Sequence, residues 1–248
     1  MPDTFLSQFG QTRSDIKARH ALLTPESHEW ITQPGWSDTA FAFLISPDLG
    51  AKFAMALVSC DQAVTAPSAA PGIARFVFCT KGALNLSTGD RLGVEGFAFV
   101  PPDSDITLSA EAGTRFVLFE WRFLPRGDIP DAVSGSVADL KGSALRGDER
   151  LTVQKMLPTD AAFDFEFNIM SFEPGASLAY VETHFMEHGL LMLDGGGVYR
   201  LDTDWYPVTA GDAIWMGPHV PQWFGALGRR PSRYLICKNY NRSPLAPR

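Results

Sequence analysis

The sequence predicts an all-β protein made of two copies of one barrel-like domain, and three observations carry that expectation. Short apolar runs recur at spacings of roughly 8–12 residues with turn signals between them, the pattern of a sandwich or barrel. Glycine (22), proline (18) and phenylalanine (18) are abundant while runs of helix-favouring residues are scarce, which suits short strands joined by tight turns. One series of landmarks also occurs twice. An apolar strand reaches a glycine turn (Gly82; Gly195), a second strand follows, and a glycine-led apolar strand then ends in proline (Gly96 to Pro102; Gly211 to Pro218). A repeat of this length means tandem domains. The 248 residues suffice for two units of roughly 100–120 residues.

The elements follow in order. Met1 to about Trp36 reads as an irregular arm, broken by Pro25, Pro34 and Gly35. Strands are expected at Phe41–Ile45, Phe53–Val58, Arg75–Cys79, Ala83–Leu86, Gly96–Val100 and Thr114–Phe123. Residues 1–125 are thus expected to form the first unit with its arm. Leu124 to about Thr152 is polar and rich in Gly, Ser and Asp, and reads as the connection, long enough for a short strand or helical turn of its own. Residues 150–248 repeat the rhythm, with strands at Phe163–Phe172, Gly189–Leu193, Val198–Leu201, Gly211–Met216 and Arg233–Lys238.

Composition excludes several classes. The formal charge is −7 and no Lys/Arg cluster appears, so neither nucleic acid nor an anionic membrane is an expected partner. No stretch approaches the roughly 18 apolar residues of a membrane span, and the N-terminus lacks an apolar core of signal-peptide length. Cys60, Cys79 and Cys237 are too few and too odd in number for a disulfide framework, and no CxxC offers thiolate zinc. A cytoplasmic protein is expected.

The chemistry concentrates in Glu182-Thr183-His184-Phe185-Met186-Glu187-His188, followed at a distance by Gln222. On a strand, alternate side chains share a face, so Glu182 and His184 are expected to point together into the barrel, with His188 near the start of the next strand. Two imidazoles, a carboxylate and an amide oxygen suit a divalent metal of the Mn, Fe or Ni kind. Four ligands leave two octahedral positions for substrate or water. An HxxxH alone in a β protein is ordinarily a surface or core feature. Here it sits in a frame running from Gly175 through Glu182, His184 and His188 to Gly195, and Gln222 lies eleven residues after Gly211.

That frame resembles the paired signatures of the cupin superfamily, G-x5-H-x-H-x3,4-E-x6-G and G-x5-P-x-G-x2-H-x3-N. Glu182 takes the first His slot, His184 the second, His188 the Glu slot and Gln222 the last His slot. The altered set Glu, His, His, Gln is similar to that of the (S)-ureidoglycine aminohydrolase family, bicupins of ureide (allantoin) catabolism within purine metabolism. So are Met186-Glu187-His188-Gly189-Leu190, Gly197-Val198-Tyr199-Arg200-Leu201, Pro221-Gln222, Arg233-Tyr234-Leu235 and Asn241-Arg242. The resemblance continues more weakly through Arg19-His20-Ala21-Leu22, Ile45-Ser46-Pro47 and Arg75-Phe76-Val77. It implies two tandem double-stranded β-helix (jelly-roll) barrels and Mn²⁺, or another divalent ion, on Glu182, His184, His188 and Gln222. It also implies a small anionic ureide substrate held by Tyr199, Tyr234, Lys238 and Gln222, with Glu182, Tyr234 and Lys238 in catalysis. A homo-oligomer is expected.

Counting within the first half puts Arg75 in the Glu slot, Thr107 in the last His slot, and Ala69 and Pro71 in the HxH slots, none a good ligand. The first barrel is therefore expected to be metal-free. Alternation sets Tyr234 and Lys238 on one face, and a lysine facing an apolar barrel needs an anion. Alternatively Lys238 reaches water at a strand end, and Tyr199 is ordinary core. Glu187 reads as an outward, solvated acid. Rival readings are another metal-cupin enzyme, such as a dioxygenase or sugar-acid isomerase, and a cupin that binds a small ligand without turnover.

Overall fold

The computed structural model describes residues 11–242 together with 244 and 245. Two large antiparallel sheets dominate it, and they are built to the same plan. In the first, Trp36–Ile45, Ala54–Cys60, Arg115–Arg122, Ile73–Lys81 and Gly96–Val100 lie side by side in that order. In the second, Asp148–Lys155, Glu166–Phe172, Ser232–Lys238, His188–Asp194 and Ala213–Met216 do the same. Each is faced by a smaller sheet that closes a barrel. In the first half this sheet contains Leu84–Leu86 and Leu108–Ala110; in the second it comprises Asp204–Thr209, Gly196–Leu201 and Gln222–Ala226. The two-barrel, all-β expectation is met.

The repeated glycines have a common cause. Gly82 and Gly195 both adopt left-handed φ (76° and 67°), and a Cβ on either would lie 2.6 Å from a neighbouring oxygen, Thr114 Oγ1 or the Pro231 carbonyl. Only glycine satisfies both demands.

The edges divide differently from the sequence reading. The arm, read as irregular and as an appendage of the first barrel, supplies Asp15–Ile16 and His20–Leu23 to the second sheet, with His20 opposite Met216. The corresponding edge of the first sheet is taken by Val133–Ser136, from the connection, paired on Gly96–Val100. Both segments are short, two to four residues per strand, and short strands of this kind give little periodic signal of their own. Arg13 pins the arm, binding Asp212 through both terminal nitrogens at 2.8 Å and Glu26 through Nε at 3.2 Å.

Alternation sorts each central strand between two environments. Along Ile73–Lys81, Ala74, Phe76 and Phe78 enter an apolar layer between the barrels, while Val77 and Cys79 enter the first barrel. Along Glu166–Phe172, Phe167 and Ile169 face the shared layer, while Met170 and Phe172 line the second barrel. The shared layer is aromatic: Phe76 stacks on Phe167 at 3.8 Å between ring centroids and Phe53 meets Phe165 edge-on at 5.8 Å. Such pairs add about 0.5–1.5 kcal/mol each beyond their buried area. Gly189 marks a close approach, since a Cβ there would lie 2.5 Å from Phe53 Cζ. Among the described residues no helix is long and apolar enough to cross a membrane.

Candidate active site

The candidate site lies at one end of the second barrel, where cross-strand register lines up a polar row. Glu166 stands opposite Lys238, Lys238 opposite His188, and His188 opposite Met216. All belong to the faces that alternate with the shared apolar layer, so their side chains belong to the barrel interior.

His188 is the first residue of its strand and Gln222 the first of another, as expected. Glu182 and His184 are not on a regular strand. Their segment is extended but held by single contacts. Glu182 and Gln222 form an isolated bridge with reciprocal backbone hydrogen bonds of 2.8 Å, and the His219 amide donates to the His184 carbonyl at 2.7 Å. Proline at 218 and 221 and the left-handed His219 (φ 61°) shape that return loop. His219 thus serves through its backbone.

The structure brings together His184, His188 and Gln222. The Gln222 amide donates to His184 Nε2 at 2.8 Å, and the two imidazole centroids are 4.7 Å apart. Glu182 stands beside them, but its carboxylate accepts from Arg146 at 2.9 Å. Consequently no group of three or more His, Cys, Asp and Glu converges on one point among the described residues. The expected four-donor set is gathered as two imidazoles and an amide, with the carboxylate turned aside to Arg146. The donors nonetheless fit a cation. His188 Nδ1 and Nε2 and His184 Nδ1 are buried without a hydrogen-bond partner among the described residues, which is costly unless something else engages them. Burial, reinforced by the charge of Lys238, holds the His188 pKa well below its ordinary value. Burial also lowers the His184 pKa, outweighing the opposing pull of Glu182. Both rings are therefore neutral at physiological pH, the state a metal requires.

Lys238 meets an anion. Its Nζ lies 3.5 Å from Glu166 Oε2, and the ammonium remains about one quarter exposed. Lys155 approaches the same carboxylate at 2.9 Å, and Asn168 donates to it at 3.3 Å. Burial alone would raise the Glu166 pKa; the charges of Lys238 and Lys155 outweigh it, and the group is a carboxylate. Tyr199 and Tyr234 are buried in the barrel, packed around Phe224, and burial raises both hydroxyl pKa values, so both are neutral donors.

Sequence reasoning missed Arg146, Glu166 and Asn168 and misplaced Glu187. Far from solvated, Glu187 is 1 % exposed. It accepts the Lys52 amide at 3.1 Å, tying the ligand segment to the first barrel, and the Asn239 side chain at 3.4 Å within its own half. Burial raises its pKa. The signal for Glu166 and Asn168 was present: two polar residues alternate with the core residues Phe167 and Ile169 on a strand of a barrel that already needed an anion for Lys238.

Such a fold and such a site define a bicupin whose second barrel carries the metal-type side chains. The family model described as Cupin domain matches residues 168–237. The chain is 39 % identical over 240 residues to (S)-ureidoglycine aminohydrolase of Arabidopsis thaliana, covering 95 % of this chain and 80 % of that protein. It is 41 % identical over 241 residues to the probable (S)-ureidoglycine aminohydrolase of Oryza sativa subsp. japonica, covering 95 % and 78 %. The crystal structure of protein Ylba from Escherichia coli superposes with a TM-score of 0.84 at 31 % identity, covering 98 % of this chain and all of that one. The chain belongs to the (S)-ureidoglycine aminohydrolase family.

Proposed function

We propose that this chain hydrolyses (S)-ureidoglycine to (S)-ureidoglycolate with release of ammonia, in the second barrel. Besides family membership, the observation that carries this reading is a pair of neutral imidazoles, three of whose four nitrogens are buried without a partner among the described residues, gathered with Gln222 beside the Lys238–Glu166 ion pair.

Glu182, His184, His188 and Gln222 would hold a divalent ion, Mn²⁺ by the resemblance, which supplies Lewis-acid polarisation at the reacting carbon when bound. The chain's own groups then do the rest. Lys238 offers the cation that an anionic ureide needs within an acidic protein, and charge-assisted hydrogen bonds there fix the carboxylate or the urea oxygen. Tyr199 and Tyr234, protonated and buried, donate hydrogen bonds without competing as anions. Glu182 is the carboxylate placed to move a proton, since its partner Arg146 is half exposed and a charge pair of that kind holds weakly. Holding the reacting carbon among these groups replaces a bimolecular encounter with an oriented one.

Two accessory features support the same picture. Ile31 and Phe43 stand exposed on the outer strands of the first sheet, with exposed Trp30 just before them, where a homo-oligomer would cover them. The three cysteines are free and buried, consistent with a reducing cytoplasm. The test is ammonia release from freshly generated ureidoglycine by chelated protein with and without added Mn²⁺. Metal-dependent ammonia without oxygen uptake supports the assignment; oxygen consumption, or ligand binding with no turnover, rejects it.

A further inference from the structure

Asn168 is fully buried, and its Oδ1 has no hydrogen-bond partner among the described residues. Its orientation is not arbitrary. Nδ2 donates to Glu166 Oε2 at 3.3 Å; flipping the amide would set an acceptor oxygen against a carboxylate already committed to Lys238 and Lys155. Glu166 therefore holds the amide with its acceptor facing away from the carboxylate. Asn168 shares a face with Met170 and Phe172, so that acceptor belongs to the barrel interior. Its cross-strand partner is Ile236, two residues before Lys238 on the same face. Diagonal neighbours of this kind lie roughly 7–8 Å apart at Cα, the span of a small planar group.

The interior thus presents, side by side, one buried acceptor in want of a donor and one ammonium whose pairing with Glu166 leaves further N–H donors to spare. A terminal carbamoyl, –NH–CO–NH₂, answers both, with an N–H donor and a carbonyl acceptor on the same carbon. We propose that Asn168 and Lys238, with Glu166 as the positioning residue for both, form the subsite for the ureido end of the substrate. Asn168 Oδ1 accepts a carbamoyl N–H, and Lys238 Nζ donates to the carbamoyl oxygen. This rests on the ureide reading of the site and specifies which end of the molecule faces the strand Glu166–Phe172. It also makes Asn168 a specificity residue, because a site with an acceptor for N–H discriminates against ligands lacking one more sharply than an apolar pocket does.

The test compares wild type with Asn168→Leu, which keeps size and removes the acceptor, and with Asn168→Ser, a smaller polar replacement should the leucine variant fail to fold. Metal content and thermal midpoint establish that each variant is intact. Binding of N-carbamoylglycine and of glycolate, which lacks the carbamoyl, is measured by calorimetry on the metal-loaded protein, and KM and kcat are measured on ureidoglycine. The expected result is a loss of about tenfold or more in N-carbamoylglycine affinity with glycolate affinity unchanged, and a rise in KM exceeding any fall in kcat. Equal losses for both ligands, or no loss for either, overturn the subsite. A wild type that turns over ureidoglycine with the variants unaffected removes the subsite and leaves the reaction. A wild type that binds N-carbamoylglycine without turnover removes the reaction and leaves the subsite; one that does neither removes both.

Discussion

The same strand positions carry opposite fates in the two barrels. In the second, His188 stands between Lys238 and Met216; in the first, Arg75 stands between Glu120 and Val100. Lys238 finds its counter-ion across the next strand, in Glu166, and so leaves His188 free. In the first barrel the position matching Glu166 is Ala54, and the ion pair forms within the site itself: Arg75 Nε meets Glu120 at 2.6 Å, and Arg75 also donates to the Pro67 carbonyl. One barrel keeps its interior polar groups unsatisfied and available; the other has closed the same space with an internal salt bridge. The carboxylate of the pair sits one strand further from the histidine position in the second barrel, at Glu166, than in the first, at Glu120.

The largest test of that contrast is to remove the imidazole. His188→Ala should abolish metal loading and lower ammonia release by roughly 10³-fold or more, measured by metal analysis and steady-state kinetics. Arg75→Met, at the matching position, should leave both within about twofold. An equal loss in both variants would break the division of labour.

A smaller effect concerns the salt bridge as a plug. Glu120→Leu strands a guanidinium whose side chain is only 9 % exposed, and should cost about 2 kcal/mol in urea unfolding, moderated by the partial exposure of Glu120. Arg75→Met combined with Glu120→Leu should return stability to within about 1 kcal/mol of wild type, because an apolar pair can replace an ion pair once both charges are gone. A double variant as unstable as the single would mean that the charges do more than fill space.

The smallest effect concerns the edges. Burial would raise the Glu26 pKa, but the Arg13 backbone amide and guanidinium hold it down at about 2, against an ordinary 4.5. A depressed carboxylate contributes stability above its unfolded value and loses it as pH falls through the folded one. The thermal midpoint of wild type should therefore exceed that of Glu26→Gln above pH 4.5, with the gap closing toward pH 2. The corresponding edge of the first sheet continues into a backbone hydrogen bond from Val137 to the Glu95 carbonyl, which has no such titration.

The barrels were legible because their signals are local. Gly82 and Gly195 announce turns that only glycine can make, and alternating apolar runs announce two-faced strands. Counting seven back from Gly82 reached Arg75, and the pairing register puts Arg75 where His188 stands. Counting eleven on from Gly96 overshot. Leu86 and Tyr199 each lie four residues past the turn glycine and pair with Leu108 and Phe224, so Ile106, half-buried against the first interior, matches Gln222 rather than the exposed Thr107. What stayed hidden is set by long-range pairing. The arm strand and the burial of Glu187 depend on which segments become neighbours, and neither periodicity nor motif spacing encodes that; alternation marked Glu166 as an interior polar residue, but only the pairing register sets it opposite Lys238.

The aromatic layer between the sheets has a consequence for how the molecule can be handled and how it can change. His188 lines one face of its strand, while Gly189 and Leu191 on the other face lie against Phe53 and its neighbours in the first half. A fragment carrying only residues 150–248 would bare that greasy face and, lacking His20–Leu23, an unpaired strand margin as well, both of which invite aggregation. The first barrel is therefore a permanent lodger, one that cannot be evicted without bringing down the wall it shares.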